Sequence, residues 1–124
     1  MSTRPLTLVE LELGRYAFPF TPCMVRGVIP QGRAGVYLLL KDGAPIYVGR
    51  SDSCTRNRLI RHPLLGCASH FSWQPCRDAG LAYHMEAFWY HALLDQSLGI
   101  LNRAHPARPR HTGRTCPFCN EADR

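Results

Sequence analysis

Glu86 is a lone carboxylate among Tyr83, Phe88, Trp89 and Tyr90, and a carboxylate in such surroundings is costly to bury unless it is paired or coordinates a cation. Mg2+ suits it, because that ion binds through one or two carboxylates and keeps several waters. A structural ion pair with a nearby arginine answers the same cost. Arg58, Arg61 and His62 stand at i, i+3 and i+4, one face of a short helix that can hold a phosphate or be only a solvated basic face. Tyr37 and Tyr47 are either cross-strand core residues or groups that relay a proton or position water. A phenol of ordinary pKa, about 10, needs a neighbouring cation to act as a base, and Arg58 could supply it. Asn102 either hydrogen-bonds to groups of a site or ends an element. Hydrolysis of a phosphodiester asks for a neutralised dianion, a deprotonated water and a stabilised alkoxide, tasks suited to a metal, an arginine and a phenol or imidazole.

These residues need elements to gather them. Gly35-Val36-Tyr37-Leu38-Leu39-Leu40 and Pro45-Ile46-Tyr47-Val48-Gly49 read as two strands joined at Lys41-Asp42-Gly43-Ala44, a β-hairpin. Ser51 or Ser53 can cap a short helix from about Cys54 that Pro63 and Gly66 end. His70-Phe71-Ser72-Trp73 alternates as a third, half-buried strand. Asp78 caps a long helix from about Ala79 to Leu98, apolar on nearly every face and so buried across the sheet. His70 reads as structural. A two-residue loop at Asp42-Gly43 would oppose Tyr37 to Val48 and point the two tyrosines to opposite faces of the sheet. A site shared by both therefore predicts an odd loop or a one-residue bulge between them.

The triplets Gly35-Val36-Tyr37 and Tyr47-Val48-Gly49, nine residues apart, followed in order by Arg58, His62, Glu86 and Asn102, resemble the GIY-YIG nuclease superfamily. The likeness spans about residues 34 to 103, with valines at 36 and 48 in place of isoleucines. It implies an α/β fold, a small mixed sheet of three or more strands packed against helices. It also implies a metal-dependent DNA endonuclease using a metal-assisted water, with Glu86 on Mg2+ or Mn2+, Arg58 stabilising the transition state, and Tyr37, Tyr47, His62 and Asn102 in the catalytic set. His62 is then the group for water activation or proton transfer. The alternatives are a non-catalytic nucleic-acid-binding module with a zinc-knuckle tail, and a nuclease subunit active only in a complex.

The chain has 124 residues, 45% hydrophobic and 19% charged, which means one folded domain and excludes disorder. It divides into a lead-in (1–33), the nuclease-like domain (34–103) and a basic arm (104–124). Fifteen basic residues against nine acidic ones give a formal charge of +6, and Lys41 is the only lysine. Arginine forks suit phosphate, so DNA is the expected partner, with a homodimer or another protein supplying any targeting. No apolar run reaches the ~18 residues that cross a bilayer, and Glu10 and Glu12 interrupt any leader-like stretch, so a cytoplasmic location with reduced thiols is expected. Cys116-x2-Cys119 is either half of a zinc knuckle or a reduced, metal-free pair. A closed site needs four ligands, for which His105, His111, Cys23, Cys67 and Cys76 are the candidates.

Overall fold

The computed structural model describes residues 16–95, 100–102, 106, 107, 109, 116 and 119. The expected element around Leu6 to Leu13, the end of the long helix near Leu98, and the arm arginines Arg108, Arg110 and Arg114 lie outside the described residues.

Four strands, β1 (Phe18–Pro19), β2 (Gly35–Lys41), β3 (Ala44–Ser51) and β4 (His70–Pro75), alternate with helices α1 (Pro22–Val28), α2 (Thr55–Ile60) and α3 (Ala79–Asp95). They form one sheet in the order β1-β4-β2-β3. This is a small α/β fold, but the sheet is antiparallel throughout and not mixed. The crossover through α2 carries the chain past β2, so the two parallel strands, β3 and β4, are never neighbours and β2 runs between them. The unbroken apolar run of β2 is accounted for by its central place, where both faces are covered. Val36 and Leu38 pack with Val48, Ala82, Trp89 and Leu93 on the α3 face. Tyr37 and Leu39 pack with Val25, Ile29, Leu59 and Phe71 on the α1 and α2 face.

The sequence assigns residues 18–29 to a lead-in, yet β1 pairs with β4 and α1 buries Val25 completely. Thr21 caps α1 by accepting the Met24 N–H at 3.1 Å, with Pro22 in the first turn. α3 starts under Asp78, whose Oδ1 accepts the Leu81 N–H at 2.8 Å. Among the described residues no helix is long and apolar enough to cross a membrane.

The hairpin turns tightly at Asp42 (φ 53°) and Gly43 (φ 84°), with Lys41 opposite Ala44. This left-handed pair fits a two-residue turn whose twist matches the strands. The register then slips by one residue: Leu40 opposes Pro45, but Leu39 opposes Tyr47. Ile46 is the extra residue of a bulge, and beyond it Tyr37 faces Gly49. Tyr37 and Tyr47 thereby share one face.

Candidate active site

The bulge brings the two phenol rings into a stack with centroids 6.4 Å apart. The His62 ring meets both edge-on, 4.9 Å from Tyr47 and 5.7 Å from Tyr37. Tyr37 lies over Gly49, where a Cβ would run into its ring, so the glycine makes room for the phenol. Gly35 has an equivalent task, since a Cβ there would strike the Trp73 indole and the Gln74 carbonyl.

Tyr37, Tyr47, Arg58 and Glu86 line one cleft of about 320 Å³, together with Gly49, Arg50, Ser51, Asp52, Ser53 and Ala107. Its position follows from the topology. α2 and α3 pack on opposite faces of the sheet, and Arg58 of α2 and Glu86 of α3 reach one cleft beside the edge strand β3, which lines it from Gly49 to Ser51. An adjoining cleft of about 520 Å³ shares Tyr47, Ser51, Ser53 and Arg58, and adds Cys54, Asn57, Arg61 and His62. The smaller cleft holds two carboxylates and two arginines, whereas the larger holds two arginines and no acid. The first can accept a cation and the second an anionic chain, with Tyr47 and Arg58 at the junction.

Glu86 is buried, 8% exposed, and it is paired. Arg50 Nη1 donates to its Oε1 at 2.7 Å, while Arg50 Nε donates to Asp52 Oδ1 at 2.6 Å. The Arg50 guanidinium also lies 5.2 Å from the Tyr83 ring centroid. Burial raises the Glu86 carboxyl above its ordinary pKa, although the hydrogen bond and charge of Arg50 oppose the shift. Burial works against the charge on Arg50, but hydrogen bonds to Asp52 and Glu86 outweigh it and hold the guanidinium protonated. Arg50 and Asp52 are absent from the site residues expected from the sequence.

Both phenols are raised, chiefly by burial; Tyr37 is pushed far above the ordinary value, with Tyr47 adding to it. Arg58 pulls both down without prevailing, so the cation expected to activate a tyrosine acts in the right direction and is outweighed. His62 is 7% exposed and its pKa is lowered, first by burial and then by Arg58. Its Nδ1 accepts the Leu64 N–H at 3.0 Å. That bond favours the neutral tautomer with the proton on Nε2, which presents His62 as a hydrogen-bond donor at that nitrogen. Because the folded protein holds His62 below its unfolded pKa of about 6.5, the unfolded chain binds more protons as pH falls. The stability it contributes is full above that value and lost on acidification. The wild type should lose more stability between pH 7 and pH 5 than His62→Gln, and equal losses in a pH series of thermal melts would contradict it.

Asn102, expected in the catalytic set, does not line the cleft. Its Nδ2 donates to the Val48 carbonyl at 2.7 Å and its Oδ1 accepts the Val48 N–H at 3.1 Å. With the Leu101 N–H on the Ile46 carbonyl at 2.6 Å, Leu101 and Asn102 cover the outer edge of β3 at Ile46 and Val48. Asn102→Ala should cost about 1–2 kcal/mol and speed amide exchange at Val48. Unchanged exchange would mean that the edge is covered without it.

A second cluster lies away from this cleft. His91 Nε2 is 3.3 Å from Cys119 Sγ and 3.6 Å from Cys116 Sγ, a group able to hold a metal ion. His91 is absent from the ligands expected for the tail cysteines; it lies on α3 one turn beyond Ala87, and only the fold brings the tail to it. Cys23, Cys67 and Cys76 do not join this cluster, and His105 and His111 lie outside the described residues. No protein-family model, curated protein or solved structure matches the chain.

Proposed function

We propose that the protein is a divalent-metal-dependent endonuclease that hydrolyses phosphodiester bonds in DNA with water. One observation carries this reading: Glu86, Arg58, Tyr37 and Tyr47, from four separate elements, meet around one cleft. The donor set suits Mg2+ or Mn2+. Glu86 and Asp52 are hard oxygen ligands lining the same space, and a carboxylate offers about four acceptor positions, of which Arg50 takes one on Glu86. When bound, such an ion supplies Lewis-acid polarisation of a phosphate oxygen and a positive charge beside two phenols.

The residues divide the remaining tasks. The polynucleotide backbone runs through the basic cleft against Arg61, with the scissile phosphate at the junction, where the Arg58 guanidinium neutralises the charge that develops on it. His62 donates Nε2–H to the same phosphate. Tyr47, the less buried phenol, relays the proton of the attacking water, accepting it as its own hydroxyl proton passes to a non-bridging phosphate oxygen and from there to the departing oxygen, while Tyr37 holds that water by hydrogen bond. Arg50 keeps the Glu86 carboxylate in place. The tail cysteines enter this reading as ligands of a structural zinc, and a cytoplasmic setting belongs to it, none of the six cysteines being in a disulfide.

The Arg50–Glu86 pair favours a second reading, a nucleic-acid-binding module in which Glu86 serves only that ion pair. Supercoiled plasmid separates the two. A nuclease converts it to nicked and linear forms with Mg2+ or Mn2+ and leaves it intact with EDTA, whereas a binding module retards its migration without cutting it.

A further inference from the structure

We infer that His91, Cys116 and Cys119 bind a zinc ion that fastens the C-terminal segment across α3 and holds the wall of the Glu86 cleft in place. The ligand atoms of all three lie within 4.8 Å of one another. Tetrahedral zinc, with Zn–S near 2.3 Å and Zn–N near 2.05 Å, sets its nitrogen and sulfur ligands about 3.6 Å apart. The observed separations are 3.3 and 3.6 Å. Hydrogen bonding accounts for one of these contacts at best. An imidazole nitrogen has a single lone pair and accepts one S–H well, so two sulfurs converging on one Nε2 is the arrangement of ligands around a shared ion.

The donor chemistry also selects the metal. Two thiolates and an imidazole are a soft, nitrogen-containing set that suits zinc and not magnesium, so this site and the Glu86 cleft do not compete for one ion. Zinc takes four ligands in a structural site, so the three described ligands leave one position for a further donor.

The consequence for the cleft follows from what the cluster touches. Cys116 is buried, 6% exposed, against Tyr83 and Ala87 of α3. Tyr83 in turn stacks under the Arg50 guanidinium that grips Glu86. Ala107, on the chain between Asn102 and Cys116, lines the cleft itself. Asn102 ties one end of this segment to β3, and the zinc ties the other to α3. Because the binding free energy of a structural zinc is also folding free energy, losing the ion should release the whole segment.

The test uses the intact chain, purified without chelator. We expect one zinc per chain by elemental analysis, and a thiolate-to-cobalt charge-transfer band of tetrahedral type when Co2+ replaces it. Cys116→Ser, Cys119→Ser and His91→Ala should each lose both, while Cys67→Ser, at an exposed cysteine outside the cluster, should keep both. Chelation of the unmutated chain should lower the melting temperature and open the buried Cys116 thiol to labelling, which keeps the test decisive if a variant fails to fold. A chain that purifies without zinc and gives no cobalt band overturns the inference. So does a Cys67→Ser chain that loses zinc as fully as Cys116→Ser, and an unchanged melt and Cys116 labelling after chelation overturns the fastening. Zinc retained without plasmid cleavage counts against the nuclease reading alone, and cleavage without zinc counts against this site alone.

Discussion

Glu86→Gln is expected to lower metal-dependent plasmid cleavage by at least about 100-fold, the scale of losing one group that stabilises charge in a transition state. Glutamine keeps an oxygen for the Arg50 N–H but loses the charge that a divalent cation needs. Its effect on the fold should be small and of known sign. The Glu86 pKa is raised in the folded state, so the folded chain binds the proton more tightly than the unfolded chain does. The stability linked to that carboxyl is full below about pH 4.5 and lost as pH rises through the folded value. At pH 7 a neutral amide should therefore be neutral to mildly stabilising. Glu86→Ala is the poorer variant, because it leaves Arg50 with Asp52 alone and should cost about 1–3 kcal/mol. Full cleavage by a folded Glu86→Gln protein would make Glu86 a structural partner of Arg50 and nothing more.

Gly49→Ala should be the most damaging single methyl addition in the site. The added Cβ would meet Tyr37 Cζ, Cε1 and the hydroxyl. Tyr37 has nowhere to retreat, being 1% exposed on the central strand and flanked by Trp73 in the register with β4. Overpacking of this kind costs about 1–3 kcal/mol, and cleavage should fall with it because β3 must shift away from the phenol and the cleft that both line changes shape. A double-mutant cycle isolates the cause. In a Tyr37→Leu background the ring atoms that clash are gone, so Gly49→Ala should cost little, whereas equal costs in both backgrounds would show that the glycine serves the backbone and not the ring.

The tyrosine pair shows how far the sequence carries. Two tyrosines that must share a face, on strands joined by a tight Asp-Gly turn, require a parity change, and the structure supplies it as a bulge at Ile46. Period-two geometry and the assumption of a shared site were enough for that. The prolines of the N-terminal stretch were legible as punctuation, but the sequence put its one expected element around Leu6 to Leu13 and none at Thr21-Pro22, which is a cap followed by a first-turn proline, a helix start. The antiparallel sheet was harder, since strand spacing cannot say that the crossover skips a strand. Arg50 stayed hidden for a related reason. On the sequence it is one arginine of fourteen, and only the alternation of β3 turns it toward α3 while Gly49 faces Tyr37. His91 and Ala107 reach their neighbours through tertiary packing, which no local spacing encodes.

Anomalous diffraction at the manganese edge, from crystals of the protein grown with Mn2+ and a short DNA duplex, locates the cation and the phosphate together. The account predicts a peak bonded to the Glu86 carboxylate with a DNA phosphate on its far side, within reach of Arg58, Tyr37 and Tyr47. A cation found away from Glu86, with DNA bound and Glu86 engaged only by Arg50, would contradict it.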